Sequence, residues 1–385
     1  MIKNLLFASL LNGALLFGSL SHAQAIVPSL DSEVIETLPG GSAERREERK
    51  LRRALAEQPS SAALATRLSA QYLARARETG DPRYAGLSIA ALRPWQDDAA
   101  APGEVLLLQA TLDQYLHQFD AAAAKLERLL QRDPKLGQAW LTLATIRRVQ
   151  GRYDASDRAC QALMGLGAGV YGPACLAENE ALRGHTQAAR STFKRLLAAP
   201  HADADTRNWL ATSLAELEER AGAVAAAQDA WKMALQASAT PYTVLSYADF
   251  LIFQGRFAEA LTVLKDQPRN DGVLLRVAIA SVRAGAPDSD ARAREMRERI
   301  AVANLRPGTQ SFHGREQAMF ALWVDKQPQR ALELARENVR SQREPIDLLI
   351  LAQAARATGQ ELAVREVEQL RRDVGLQDKR VEALL

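Results

Sequence analysis

Residues 139–155 read AWLTLATIRRVQGRYDA, and this stretch decides the fold. Leu143 is followed by the small Ala144, Gly151 comes about two helical turns later, and Tyr153 and Ala155 open a second apolar run. A helix, a tight turn and a second helix fit that order. A small residue lets two helices cross closely, and Gly takes the left-handed backbone that ends the first one. Just upstream, Phe119-Asp120-Ala121-Ala122, Leu126, Leu129 and Pro134 repeat the second half of the unit.

Downstream the marks keep phase. Turn glycines recur at Gly151, Gly184, Gly222, Gly255, Gly285 and Gly359. Each follows a bulky/Ala pair by about two turns: Leu143-Ala144, Leu176-Ala177, Leu214-Ala215, Tyr247-Ala248, Val277-Ala278 and Leu351-Ala352. Second-helix stripes follow at Ala189, Phe193 and Leu196, at Ala227, Trp231 and Ala234, and at Ala260 and Leu264, spaced to bury one face. Pro134, Pro200, Pro241, Pro268 and Pro345 fall between units, where proline stops a helix without harming one. An ordinary Ala-rich bundle would give the apolar period but no reason for Gly and Pro to stay in register.

This pattern resembles the tetratricopeptide-repeat (TPR) family, in an exported bacterial member. The resemblance covers Ala54 to the C-terminus and implies an all-α, right-handed superhelical solenoid of antiparallel helix pairs, about eight or nine of them. It weakens over Leu64–Trp95, with Gly80-Asp81-Pro82 as the turn, and over Asp288–Gly314, where an Arg/Glu-rich helix precedes Arg306-Pro307-Gly308. In the unit from Glu316 to Asn338, Lys326 stands where the turn glycine is expected.

Composition agrees with an all-helical chain. Of 385 residues, 47% are apolar but only 5% aromatic, and Ala and Leu, both strong helix formers, carry the apolar share. Lys3 precedes an uncharged stretch from Leu5 to Leu20 and the small-residue pattern Ala23-Gln24-Ala25, which predicts a signal peptide over residues 1–25 and a periplasmic or secreted product. An uncleaved anchor is the alternative, although the apolar run is shorter than the roughly 20 residues that span a bilayer. Residues 26–41 read as a flexible leader, 42–63 as a charged N-terminal helix and 64–385 as the repeat array. No later segment is apolar enough to be transmembrane. Cys160 and Cys175 are open to two readings, a disulfide in an oxidising compartment or two buried thiols.

Formal charge is +3 from 49 basic and 46 acidic side chains, a balance that gives no nucleic-acid footprint. HExxH, GxSxG and Walker-type signatures are missing, so no catalytic, metal or cofactor site is expected. His117 and His185 fall at turns and His201 in a connection. Gly165-Leu166-Gly167-Ala168-Gly169 lacks the strand and the Lys-Ser/Thr of a phosphate loop and reads as an inter-repeat turn. Acidic pairs such as Glu218-Glu219 read as solvated faces.

By analogy with the family's groove positions, a concave face would be lined by first-helix residues. These are Leu107, Thr111 and Tyr115; Gln138, Leu141, Thr145 and Arg148; Trp209, Glu216 and Arg220; Tyr242, Asp249 and Phe253; and Arg283, Trp323 and Arg356. Aromatics and Arg dominate binding hot spots, so the resemblance implies a non-catalytic scaffold or adaptor holding a protein or peptide partner. The Lys and Asn of the chaperone-associated carboxylate groove are replaced by Leu141 and Thr145, which argues against recognition of a free C-terminal acid. The rival expectation is an envelope enzyme or small-ligand carrier, with His185, His313 and acidic residues gathered in the groove.

Overall fold

The computed structural model describes residues 43–96, 100–199, 203–305 and 314–385. The residues read as signal peptide and leader, Pro200, His201, His313 and Arg306-Pro307-Gly308 lie outside the described residues. Among those described, the chain is helical with no strand.

Helix α1 (Ala43–Glu57) precedes nine helix pairs. The first three are α2 (Ala62–Thr79) with α3 (Pro82–Ala91), α4 (Gly103–Tyr115) with α5 (Phe119–Arg132), and α6 (Gly137–Val149) with α7 (Tyr153–Gly165). Then come α8 (Tyr171–Leu182) with α9 (Thr186–Leu197), α10 (Ala204–Arg220) with α11 (Val224–Ala237), and α12 (Pro241–Phe253) with α13 (Phe257–Leu264). The last three are α14 (Asp271–Ala284) with α15 (Ser289–Asn304), α16 (Gly314–Trp323) with α17 (Pro328–Asn338), and α18 (Pro345–Thr358) with α19 (Glu361–Val374). A short α20 (Lys379–Glu382) closes the chain. Successive helices pack on one another, so the protein is an all-α, TPR-like solenoid.

Local chemistry sets the boundaries. Pro82, Pro241, Pro328 and Pro345 begin helices, where the missing N–H costs nothing. Asp81, Thr240 and Asn270 cap α3, α12 and α14 by accepting a backbone N–H. The turn glycines have φ between 65° and 89°. His117 and Lys326 adopt the same left-handed backbone, with φ of 60° and 55°, in the two units without a turn glycine. The small partners of the bulky/Ala pairs, such as Ala144, Ala215 and Ala248, are fully buried at the helix crossings. Phe193 and Trp231 fill the core from the second helices, each contributing about 1.5–3 kcal/mol by burial.

Cys160 of α7 and Cys175 of α8 form a disulfide, with Cα atoms 5.6 Å apart, tying adjacent units together. Gly167 and Gly169 turn the chain between these helices with positive φ.

One expectation is corrected. In a solenoid each unit is expected to touch only its neighbours, leaving an open trough. Here late units reach back to early turns. The Arg343 N–H donates to Val149 O at 2.7 Å, and the Gln377 N–H to Leu182 O at 2.8 Å. The turn glycines permit this approach: a Cβ on Gly80 would lie 2.8 Å from Asn270, and one on Gly151 3.1 Å from Val374. The curvature therefore closes on itself within residues 48–385.

Candidate functional site: an inner channel

The closure leaves a cavity of about 1240 Å³. First helices of the pairs supply much of its wall, with Glu216, Glu219 and Arg220 on α10, Tyr242, Asp249 and Phe253 on α12, Arg276 on α14, and Arg315 and Glu316 on α16. The α2–α3 and α4–α5 turns, part of α15, Glu344 and Arg380 complete it.

A repeated contact organises the inner face. Glu178, Glu216 and Asp249 stand at the same distance before the turn glycines Gly184, Gly222 and Gly255. Each accepts from a donor on the next first helix: Trp209 Nε1 to Glu178 at 3.2 Å, Tyr242 OH to Glu216 at 2.6 Å, and Arg276 Nη2 to Asp249 at 2.6 Å. Arg148 pairs with Glu178 from the other side at 2.6 Å. Further along, Arg315 bridges Asp347 at 2.6 Å and Glu344 at 2.5 Å, while Asp347 and Glu344 form the capping box of α18.

Burial shifts the acids. Burial pushes the Glu216 carboxyl above its usual range, opposed by the Arg220 charge. Tyr242 is held well above the ordinary phenol value, first by the Glu216 charge and then by burial. Tyr242 is 59% exposed and lines the cavity. Burial lifts Glu219 to about 7 against the pull of Arg380. Glu218 and Glu219, expected on solvated faces, are both held by partners. Arg190 grips Glu218 at 2.5 and 2.7 Å, and Glu219 accepts from Trp231 at 2.7 Å and Arg380 at 2.5 Å.

Tyr115, Glu216, Arg220, Tyr242, Asp249 and Phe253 are brought together in the cavity wall. Other expected groove residues are engaged elsewhere. Trp209 stacks on Tyr171 at 5.6 Å, Trp323 meets Phe253 edge-on at 5.6 Å, and Arg283 lies over the Phe257 ring. Arg356 donates to the carbonyls of Leu384 and Leu385 at the chain's own end. Gln138 bonds Thr142, Thr111 and Thr145 bond carbonyls one turn back, and Leu107 and Leu141 pack against the core of the early units.

No family model matches the chain, and no curated protein does. Solved structures with similar helical stacks include a tetratricopeptide repeat protein from Parabacteroides merdae at 11% identity, covering 81% of this chain and 92% of that one, TM-score 0.36. The human IFIT1 dimer with PPP-AAAA gives 11% identity, 85% and 77% coverage and TM-score 0.46. The APC/C hetero-tetramer Cut9-Hcn1 gives 13% identity and TM-score 0.38; the match covers 81% of this chain but only about half, 52%, of that one. The helix pairing itself carries the fold assignment.

Sequence reasoning missed Glu219, Arg276, Arg315, Glu344 and Arg380. The acid row was readable by aligning residues on the turn glycines, which places Glu178, Glu216 and Asp249 in one register. Arg380 was not readable, because closure sets its position rather than the repeat. His185 sits at the start of α9, away from the cavity wall. Among the described residues no group of three or more His, Cys, Asp or Glu is placed to hold a metal ion, and no helix is long and apolar enough to cross a membrane.

Proposed function

We infer that the protein is a non-catalytic scaffold or adaptor that holds an extended protein segment in its inner channel. The observation that carries this reading is the channel's size and lining together. At about 1240 Å³ it exceeds the roughly 300–1,000 Å³ of small-molecule clefts, and its wall sets acids, arginines and aromatic rings within a largely apolar surface. A peptide offers backbone donors and acceptors along its length, and such a wall can meet both. The size also favours a peptide over the small-ligand carrier.

The compartment belongs to the same proposal. An exported chain, processed near Ala25 into the bacterial envelope, is supported by the Lys3–Ala25 pattern and by a disulfide suited to oxidising surroundings.

The test is selection of binders from a random-peptide display library on the full chain, followed by affinity measurement on the Tyr242→Ala variant. The reading expects selected peptides to bind Tyr242→Ala at least roughly tenfold more weakly, the loss of one hot-spot aromatic. Failure to select any peptide, or equal binding to both forms, would overturn it.

A further inference from the structure

The arginines of the channel wall are not equivalent. Arg276 holds Asp249, Arg315 holds Asp347 and Glu344, and Arg380 holds Asp378 and Glu219. Arg83, Arg269 and Arg299 likewise each hold a carboxylate. Arg220 and Arg276 are alike in being 7% exposed, lining the cavity and having a buried Nε with no hydrogen-bond partner. Arg220 differs in its ion pairing. Among the described residues no carboxylate lies within ion-pair distance of it. The closest acid in its own helix register, Glu216, is taken by Tyr242 at 2.6 Å.

The Arg220 charge is felt by Glu216, but no carboxylate closes on the guanidinium, and a largely buried cation without an ion pair attracts an anion that can reach it. We propose that Arg220 is the anchor for a carboxylate of the segment held in the channel, so that the ligand is a peptide with an Asp or Glu side chain at one fixed position. This rests on the peptide-binding reading above. The planar fork of Arg matches a carboxylate with two parallel hydrogen bonds. A doubly charged phosphate fits less well, because Glu216, Glu219, Glu316 and Glu344 share the wall with Arg220. One arginine without an ion pair, among arginines that each have one, offers a place for one negative charge.

The experiment repeats the library selection on the wild type and on Arg220→Met, which keeps the apolar stem and removes the charge. Wild-type binders should share one acidic position. Replacing that acid by its amide should weaken binding roughly ten- to hundredfold, the worth of a charge-assisted hydrogen bond. Arg220→Met should still select peptides, without the acidic position, and should melt no lower than the wild type. Glu216→Gln, with one repelling charge fewer, should bind the acidic peptides more tightly. If Arg220→Met does not fold, Arg220→Gln carries the same comparison.

Wild-type binders lacking a shared acid, or an acidic preference that survives in Arg220→Met, would overturn the Arg220 anchor while leaving the channel reading intact. Recovery of no binders at all would defeat both. A drop in melting temperature for Arg220→Met, with the acidic preference unchanged, would assign Arg220 a structural role in balancing Glu216.

Discussion

The guanidinium of Arg380, in the last helix, donates to Oε2 of Glu219 on α10 at 2.5 Å, joining residues 161 positions apart. Asp378 shares the same guanidinium at 2.7 Å. Two carboxylates on one cation, in a nearly dry place, make this clasp sensitive to proton uptake.

Its pH dependence follows. Glu219 titrates near 7 in the fold against 4.5 when free, so the folded chain takes up its proton more readily than the unfolded one. The stabilisation associated with that proton is complete below about 4.5 and is lost as pH rises through 7. Denaturant unfolding should therefore show stability falling between pH 5 and pH 8, by on the order of 2–3 kcal/mol from this group. Glu219→Gln should flatten that window. An unchanged slope in the variant would place the proton elsewhere.

The closure contacts predict a difference between two turn glycines of nearly identical backbone. Gly151 and Gly255 have φ of 71° and 72°, but only Gly151 faces a neighbour, with Val374 and Arg343 within 3.2 Å of an added Cβ. Gly255→Ala should cost about 1 kcal/mol from backbone strain alone. Gly151→Ala should cost more, about 2–3 kcal/mol, because the late units must also shift. Equal losses by urea unfolding would mean that the contact at Val374 carries no energy.

Lys326 offers the opposite experiment. It holds a φ of 55° in an exposed turn, a conformation that costs a residue with a Cβ roughly 1 kcal/mol. Lys326→Gly should raise stability by about 0.5–1 kcal/mol, read as a higher urea midpoint at unchanged m-value.

Much of the fold was legible because its marks are local. A turn glycine and the small residue that precedes it report on one helix pair, and those requirements hold wherever the pair sits in the stack. The same locality explains what was not legible. Whether the stack stays open or closes depends on small rotations summed over many units, and no single residue encodes that sum. Glu216, Tyr242 and Asp249 were readable as inner-face positions, whereas Arg380 and Glu219 meet only because the stack closes. Trp209 and Trp323 were readable as first-helix aromatics, but their packing on Tyr171, one unit back, and on Phe253, two units back, required those units to be in place.

The bond between Cys160 and Cys175 ties α7 to α8 over a sequence separation of 15. Closing a loop of that size restricts the unfolded chain by about 3 kcal/mol. Cys160→Ala with Cys175→Ala should lower the melting temperature by several degrees. A variant that melts with the wild type would show that the bond restricts an already compact unfolded state.

Hydrogen exchange of the full chain, alone and saturated with a selected peptide, bears most directly on the inner channel as the working surface. Added protection is predicted on α10, α12 and α16, with the outer helices α13 and α17 unchanged. Protection confined to those outer helices would contradict the account.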